Sequence, residues 1–192
     1  MAGVYIHIPF CKQACHYCNF HFSTSVARKT DMVAALLHEL EMRRQYLPAG
    51  EPLGSIYFGG GTPSLLNAAE IEQLIGKTIA LFGLKPDAEI TLEANPDDLS
   101  ENKLWELRQI GVNRLSIGIQ SFFEPDLLFM NRAHNAGEAL NCIELALKTG
   151  FTNLSIDFIY GTPTLTHEQW QRNLSIAFGL NIPHISAYCL TV

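Results

Sequence analysis

The chain has 192 residues, of which 47% are hydrophobic, with a formal net charge of -6 and a pI near 5.6. A chain of this length and hydrophobicity can bury a core, which predicts one globular domain. Its 13 lysines and arginines form no basic run, and no window reaches ~18 uninterrupted apolar residues, so we expect no nucleic-acid partner and no membrane span.

Six short runs rich in β-branched and aromatic residues alternate with five amphipathic stretches. The predicted strands begin near Val4, Ser55, Glu89, Arg114, Asn153 and His184. The first predicted helix has an apolar face of Val33, Leu36, Leu37, Leu40 and Leu47, and the second begins with a capping pair, Asn67 and Glu70, before Ile71, Leu74, Ile75 and Phe82. The third is predicted to begin at Ser100 and to end at Gly111. The fourth carries Leu140, Ile143 and Leu147 before Gly150, and the fifth carries Trp170 and Leu174 after Thr166 and Gln169. This alternation predicts an α/β fold with a mostly parallel sheet.

The two parities of the predicted strands differ in polarity. One parity is apolar on every strand, as in Ile56 and Phe58, and predicts the face that meets the helices. The other is polar or small throughout: Tyr5, His7, Tyr57, Gly59, Thr91, Glu93, Ser116, Gly118, Gln120, Ser155, Asp157, Ser186 and Tyr188. A doubly wound sheet needs two apolar faces, and a closed eight-stranded barrel fills its centre with aliphatic side chains. We therefore expect a curved six-stranded sheet around a hollow, where a polar ligand, solvent or mutual pairing compensates Glu93 and Asp157.

Cys11, Cys15 and Cys18 follow the first predicted strand with the spacing C-x3-C-x2-C. The N-terminal segment lacks the features of a signal peptide, so we expect a cytoplasmic location, where thiols stay reduced and clustered cysteines favour metal or redox chemistry. Three thiolates can hold three irons of a cubic iron-sulfur cluster and leave the fourth iron open to a ligand. This arrangement indicates chemistry or ligand binding rather than simple electron transfer.

Two alternatives for the cysteines stay open at this point. A Cys3His zinc site would take its fourth ligand from His7, His16 or His21. A redox pair would use only the C-x-x-C of Cys15 and Cys18. The remaining cysteines, Cys142 and Cys189, are predicted to be buried core thiols.

A glycine-rich loop, GGGTPS at residues 59–64, follows the second predicted strand. Glycines without Cβ atoms would let a ligand touch the backbone at the mouth of the hollow. The loop lacks the lysine of a nucleotide-phosphate loop, so we do not interpret it as one.

Five segments together resemble the radical S-adenosylmethionine (SAM) superfamily, and within it the oxygen-independent coproporphyrinogen III oxidase-like branch. These are YIHIPFC at 5–11, FGGGTPS at 58–64, EANP at 93–96, RLSIGIQSF at 114–122 and DFIYGTP at 157–163. The resemblance covers essentially the whole chain and implies a partial (β/α)6 barrel of the TIM-like type. It also implies a [4Fe-4S] cluster held by Cys11, Cys15 and Cys18, with SAM bound at the open iron.

The resemblance implies a SAM pocket as well. Its residues would be Tyr5, Tyr17, Gly60, Gly61, Thr62, Glu93, Gln120, Arg132 and Asp157. Strand parity had already singled out Glu93, Gln120 and Asp157, whereas Arg132 would otherwise be interpreted as a surface arginine. In this family an electron from the cluster cleaves SAM to a radical, which a barrel interior protects from water.

Phe20 departs from the pattern of the true coproporphyrinogen dehydrogenases, which have a further cysteine two positions after the triplet. This departure resembles the HemW-type relatives, which are regarded as haem chaperones. The resemblance therefore implies haem or a related tetrapyrrole as cargo, a cellular electron donor and a haem-accepting protein as partners. The first alternative is a coproporphyrinogen III oxidase that decarboxylates two propionates, and the second is a zinc-stabilised binding protein with no redox role. Relatives are longer, so we expect residues 1–192 to form the radical SAM core domain without their C-terminal domain.

Overall fold

A computed structural model describes residues 2–48 and 50–191. In chain order the elements are β1 (Gly3–Ile8), α1 (Lys29–Met42), β2 (Leu53–Gly60), α2 (Ala68–Phe82), β3 (Leu84–Ala94), α3 (Glu101–Gln109), β4 (Arg114–Gln120), α4 (Glu124–Phe129), α5 (Ala136–Lys148), β5 (Asn153–Tyr160), α6 (His167–Gly179) and β6 (His184–Cys189). Short 3-10 turns follow β2 at Pro63–Leu65 and β3 at Pro96–Asp98. Each of the six predicted strands and five predicted helices is present.

The six strands form one parallel sheet in the order β1-β2-β3-β4-β5-β6. Every neighbouring pair is parallel, and in the described part of the chain β1 pairs with β2 and β6 with β5, but β1 and β6 do not pair with each other. The sheet is therefore an open, partial (β/α)6 barrel, which confirms the predicted fold.

Local sequence signals set several helix ends. Asn67 and Glu70 form a reciprocal capping box at the start of α2, and Thr166 and Gln169 do so at the start of α6. These pairs satisfy backbone donors that the first helical turn would leave unbonded. Gly111 has φ +94°, a conformation that glycine adopts without strain, and it ends the α3 segment as predicted.

The sequence pattern missed or misplaced some features of the helices. The six-residue α4 was not predicted, because it is too short to show an apolar period and contains a proline in its first turn. Leu147 is 36% exposed, since the buried stripe of α5 runs instead through Ala139, Ile143 and Ala146. Leu47 lies beyond the end of α1.

The apolar parity of the strands forms the core between sheet and helices. Ile56, Phe58, Leu92, Ile117 and Ile156 are completely buried. The polar parity is aligned across the sheet by the strand register, as in the pairing of Glu93 with Ser116 on the neighbouring strand. The barrel interior is therefore polar across all six strands, as predicted.

Strand β6 is an exception to the predicted core. Ala187 and Cys189 share the apolar parity but are exposed in the structure. The prediction that Cys189 is a buried thiol is wrong, because this side chain is exposed near the end of an edge strand. Cys142 is buried on α5 as predicted, and burial raises the pKa of its thiol to about 12.

At the amino-terminal ends of the strands, the polar side chains pair with one another. Ser155 Oγ lies 2.6 Å from His184 Nδ1, and Thr91 donates to Glu89 at 3.0 Å. Thr91 and Ser155 are each only 1% exposed. The hollow is thus closed at this end by mutual pairing and stays open only toward the carboxyl ends of the strands. In the described residues, no helix has the length and apolar character required to cross a membrane.

His134, just after α4, generates a prediction about pH. Its Nε2 donates to the Ile119 carbonyl at 3.1 Å, Nδ1 has no partner, and burial together with the charge of Arg132 lowers its pKa to about 4. The unfolded chain takes up this proton below about pH 6.5, whereas the folded chain does so only near pH 4. Between these values the free energy of unfolding therefore falls as the pH falls, by about 3 kcal/mol at most.

We expect the stability difference between the wild type and His134→Gln to shrink by about 2 kcal/mol when urea unfolding is measured near pH 5 instead of pH 7. His38→Gln, on the exposed side of α1, serves as the control and should show no such change. A difference that is equal at the two pH values would contradict the neutral state of His134.

Candidate functional site

The predicted site residues meet at the carboxyl ends of the strands. A cavity of about 230 Å³ is lined by eleven of the twelve predicted residues: Cys11, Cys15, Cys18, Tyr17, Gly60, Gly61, Thr62, Glu93, Gln120, Arg132 and Asp157. The twelfth, Tyr5, lines an adjoining cavity of about 740 Å³, which also contacts Tyr17, Glu93 and Asp157. Residues far apart in sequence therefore share one continuous hollow.

The three cysteines of the triplet are free and partly exposed in the loop after β1. Burial raises the pKa of Cys11, and the charges that Cys18 and Cys15 would carry raise it further, whereas a hydrogen bond with Thr62 and the charge of Arg132 lower it. The thiols are thus close enough to influence one another electrostatically. In the described part of the chain, no three His, Cys, Asp or Glu side chains are placed to hold a single metal ion.

The glycine loop brings the β2 end close to the cysteines. Gly60 has φ +115°, which few other residues adopt. A Cβ atom on Gly61 would lie 2.7 Å from the Phe10 carbonyl oxygen and 2.9 Å from Cys11 Sγ. The missing side chains therefore make room for the Cys11 thiol as well as for a ligand.

Glu93 is fixed by two hydrogen bonds at the inner face of β3. Tyr57 Oη donates to Glu93 Oε1 at 2.7 Å, and the Gly60 amide donates to Oε2 at 3.2 Å. Burial raises the pKa of Glu93, although both hydrogen bonds lower it by stabilising the carboxylate. Burial and the hydrogen bond to Glu93 raise the pKa of Tyr57. The carboxylate is thus oriented into the hollow, while its burial disfavours the ionised form.

Asp157 on β5 and Gln120 on β4 line the same cavity. Burial raises the pKa of Asp157, and a hydrogen bond with Ser186 lowers it. The β4–β5 register shifts between Ile117 and Gln120, and Gln120 has φ +66°. A bulge and a left-handed backbone at a strand end turn this side chain toward the site, a feature common beside functional residues.

Arg132 directly contacts the cysteine loop, which comprises residues 11–18. Its Nη1 donates to Cys15 Sγ at 3.3 Å and to Tyr17 Oη at 3.0 Å, and its Nη2 donates to Asn95 Oδ1 at 2.7 Å and to the Gly118 carbonyl at 3.0 Å. Its buried Nε has no partner. Arg132 is therefore not a surface arginine but a half-buried cation held beside a thiol.

Sequence reasoning did not assign three residues that support this site. Tyr57 was on the polar parity, and Asn95 was within the EANP segment, so both carried a signal that could have identified them. Asn131, which contacts the cysteine loop, carried no signal because its partners are distant in sequence.

The donor set fits a [4Fe-4S] cluster held at three corners. Cys11, Cys15 and Cys18 would supply three thiolates, and the cavity beyond them is lined by carboxylates that suit a cationic ligand. A metal also supplies the positive charge that converts such thiols into thiolates. When bound, the cluster supplies an electron at the edge of this cavity.

The chain is similar to known proteins over most of its length. A family model described as the Radical SAM superfamily matches residues 5–175. The heme chaperone HemW of Escherichia coli is 38% identical over 192 residues, which cover 99% of this chain and 50% of that protein. The heme chaperone HemW of Bacillus subtilis is 37% identical over 196 residues, which cover 100% of this chain and 51% of that protein. The chain thus spans about half the length of these curated relatives.

Solved structures show the same architecture. Coproporphyrinogen III oxidase (HemN) from Escherichia coli, described as a radical SAM enzyme, superposes with a TM-score of 0.88 at 32% identity, covering 98% of this chain and 44% of that one. HydG, a maturase of the [FeFe]-hydrogenase, superposes with a TM-score of 0.69 at 15% identity, covering 99% and 42%, which supports the fold alone.

We expect Cys11→Ala, Cys15→Ala and Cys18→Ala each to lose the cluster that the wild type takes up during anaerobic reconstitution with iron and sulfide, because each removes one of three thiolate ligands. Iron and sulfide content and the electron paramagnetic resonance spectrum of the reduced protein measure the loss. Cys189→Ala, an exposed cysteine on β6, is the matched control and should retain the cluster. Equal retention in all four variants would contradict the ligand assignment.

Proposed function

Because this chain belongs to the radical SAM superfamily, with the [4Fe-4S] cluster and SAM that this membership implies, we propose that it acts in haem metabolism as a haem chaperone. The observation that carries this proposal is the similarity of nearly the whole chain to proteins named heme chaperone HemW, at 32–38% identity. Phe20 supports it, since this 76% exposed ring stands where the oxidases of the branch have a further cysteine.

We propose that the residues around the smaller cavity bind SAM beside the cluster. Glu93 and Asp157 give the hollow two carboxylates, and SAM carries positive charge on its sulfonium and amino groups, so the charges are complementary. The glycine loop, at Gly60, Gly61 and Thr62, supports this with backbone groups accessible at the cavity wall. Gln120 would contribute an uncharged amide to the same pocket.

The proposed roles of the remaining pocket residues follow from their contacts. Arg132 would stabilise the thiolate of Cys15 and hold Tyr17, because its guanidinium donates to both. Tyr5 would border the larger cavity from β1, where its ring stacks on Tyr57 with centroids 5.8 Å apart. These residues would orient ligands and limit water access.

We propose the larger cavity as the contact region for haem or a related tetrapyrrole. Its volume is about 740 Å³, and its lining includes the exposed rings of Tyr5, Phe20 and Tyr188. Aromatic rings favour flat contact with a planar macrocycle. A haem-accepting protein and a cellular electron donor would be the partners, and a cluster of cysteines with metal-ligand spacing fits a cytoplasmic location, where thiols stay reduced.

Haem binding and turnover separate the chaperone from the oxidase. We expect stoichiometric haem binding in absorbance titrations, and no decarboxylated product when coproporphyrinogen III is incubated anaerobically with the reconstituted protein, SAM and reductant. Tyr188→Ala should weaken haem binding about three- to tenfold through loss of ring contact, whereas Tyr46→Ala, an exposed tyrosine after α1, should not. Formation of protoporphyrinogen would support the oxidase, and absence of both haem binding and product would contradict the proposed function.

The proposed SAM pocket generates a prediction about pH. The carboxylate of Glu93 is the form that attracts SAM, so affinity should fall as the pH falls through the raised pKa of this group. Tyr57→Phe removes a hydrogen bond that stabilises the carboxylate, so the midpoint of this fall should move to higher pH. SAM binding followed by the cluster's paramagnetic spectrum measures the midpoint. Tyr46→Phe is the matched control, and an unmoved midpoint in Tyr57→Phe would exclude this role for Glu93.

A further inference from the structure

The cysteine loop, residues 11–18, has little regular secondary structure. It contains no helix or strand, and the backbone bond within it joins the Cys18 amide to the Cys15 carbonyl at 3.2 Å. A segment with so few internal bonds takes its shape from its neighbours. The positions of the three thiols therefore depend on contacts from elsewhere in the fold.

Those contacts come mainly from the last residue of α4 and the three residues after it. The His16 amide donates to the Met130 carbonyl at 3.1 Å, and His16 Nδ1 lies 2.9 Å from the Phe129 carbonyl oxygen. The neighbouring Arg132 reaches Cys15 Sγ. The segment 129–132 thus lies along the cysteine loop, more than 110 residues away in sequence.

Asn131 takes part in three hydrogen bonds of this contact. Gln13 Nε2 donates to Asn131 Oδ1 at 2.6 Å and to its carbonyl oxygen at 3.1 Å, and Asn131 Nδ2 donates to the Ala14 carbonyl at 2.8 Å. The amide is thus used as acceptor and donor at once, toward two residues that lie between Cys11 and Cys15. An aspartate would be isosteric but would turn an acceptor toward the Ala14 carbonyl.

The backbone of Asn131 explains how its side chain reaches the loop. Its φ is +55°, in the left-handed region that asparagine tolerates better than most residues. Glycine would also fit that backbone and would keep the carbonyl that accepts from Gln13, but it would remove the side-chain bonds to Gln13 and Ala14. Mutation to glycine can therefore separate the left-handed backbone conformation of residue 131 from the hydrogen bonds that its side chain makes.

We propose that Asn131 is a positioning residue for the cluster: it fixes Gln13 and Ala14, and through them the separation and direction of the Cys11 and Cys15 thiols. This role rests on the proposed ligation of a [4Fe-4S] cluster by the three cysteines. Asn131 would act indirectly, through Gln13 and Ala14, since it offers no thiolate and does not line the smaller cavity.

The test compares Asn131→Gly and Asn131→Asp with the wild type after anaerobic reconstitution of the full chain. Both variants should lose visible cluster absorbance in air about tenfold faster, as is typical when groups that orient metal ligands are removed. Their reduced forms should also show altered paramagnetic spectra, which a change in global stability alone would not produce. The metal-free variants should unfold at nearly the temperature of the metal-free wild type.

Asn181→Gly is the matched control. Asn181 has φ +54° in the exposed turn after α6, so this change makes the same substitution in the same backbone conformation away from the cysteines. It should leave cluster lifetime and spectrum unchanged. Gln13→Ala, which keeps the turn residue, should reproduce part of the Asn131→Gly effect and covers the case in which the Asn131 variants do not fold.

The outcomes separate the two levels of the proposal. Cluster lifetimes and spectra of the Asn131 and Gln13 variants that equal those of the wild type would overturn the positioning role while leaving the cluster assignment intact. A wild-type chain that takes up no cluster under the same conditions would overturn both. If Cys15→Ala loses the cluster completely while Asn131→Gly keeps the cluster lifetime and spectrum of the wild type, the cysteines are the ligands and Asn131 has no positioning role.

Discussion

A parallel sheet with one apolar and one polar face is the constraint on which the rest of this structure depends. The apolar face, with Ile56, Phe58 and Ile117 completely buried, must be covered by helices to leave water. The polar face cannot be covered in the same way, because burying Glu93 or Asp157 without partners costs several kcal/mol. Curving the sheet around that face satisfies both requirements, with small polar side chains pairing at the amino-terminal ends and an open hollow at the carboxyl ends.

The charges in the hollow are separated by position. The carboxylates of Glu93 and Asp157 stand on the strands, and the guanidinium of Arg132 stands beside the Cys15 thiol. Burial disfavours the ionised form of both acids, so a cationic ligand entering the hollow would restore their charged state. Thiolates need positive charge nearby, and Arg132 supplies some of it from the protein. The two halves of the proposed cofactor site therefore differ in electrostatic character over a short distance.

The cysteine loop shows how a proposed metal site depends on a distant segment. The C-x3-C-x2-C spacing would supply the ligands, and residues 129–132 make the hydrogen bonds that hold the loop between them. That segment begins at the last residue of α4, a helix of six residues, and Asn131 adopts a left-handed backbone there. The same segment ends in Arg132, so one short stretch of chain contacts both the backbone of the loop and the Cys15 sulfur, a proposed ligand.

The amino-acid sequence by itself determined the six strands, the five longer helices, the polar interior and the cysteine triplet, because two-residue periodicity, capping pairs such as Asn67 with Glu70 and ligand spacing are local properties. Local pattern could not identify α4, which is shorter than one apolar repeat, or the exposure of Cys189, which depends on what covers an edge strand. Nor could it place Arg132 beside Cys15 or Asn131 beside Gln13 and Ala14. These contacts join residues separated by more than 110 positions, and only the tertiary structure decides which loops meet at the end of a sheet.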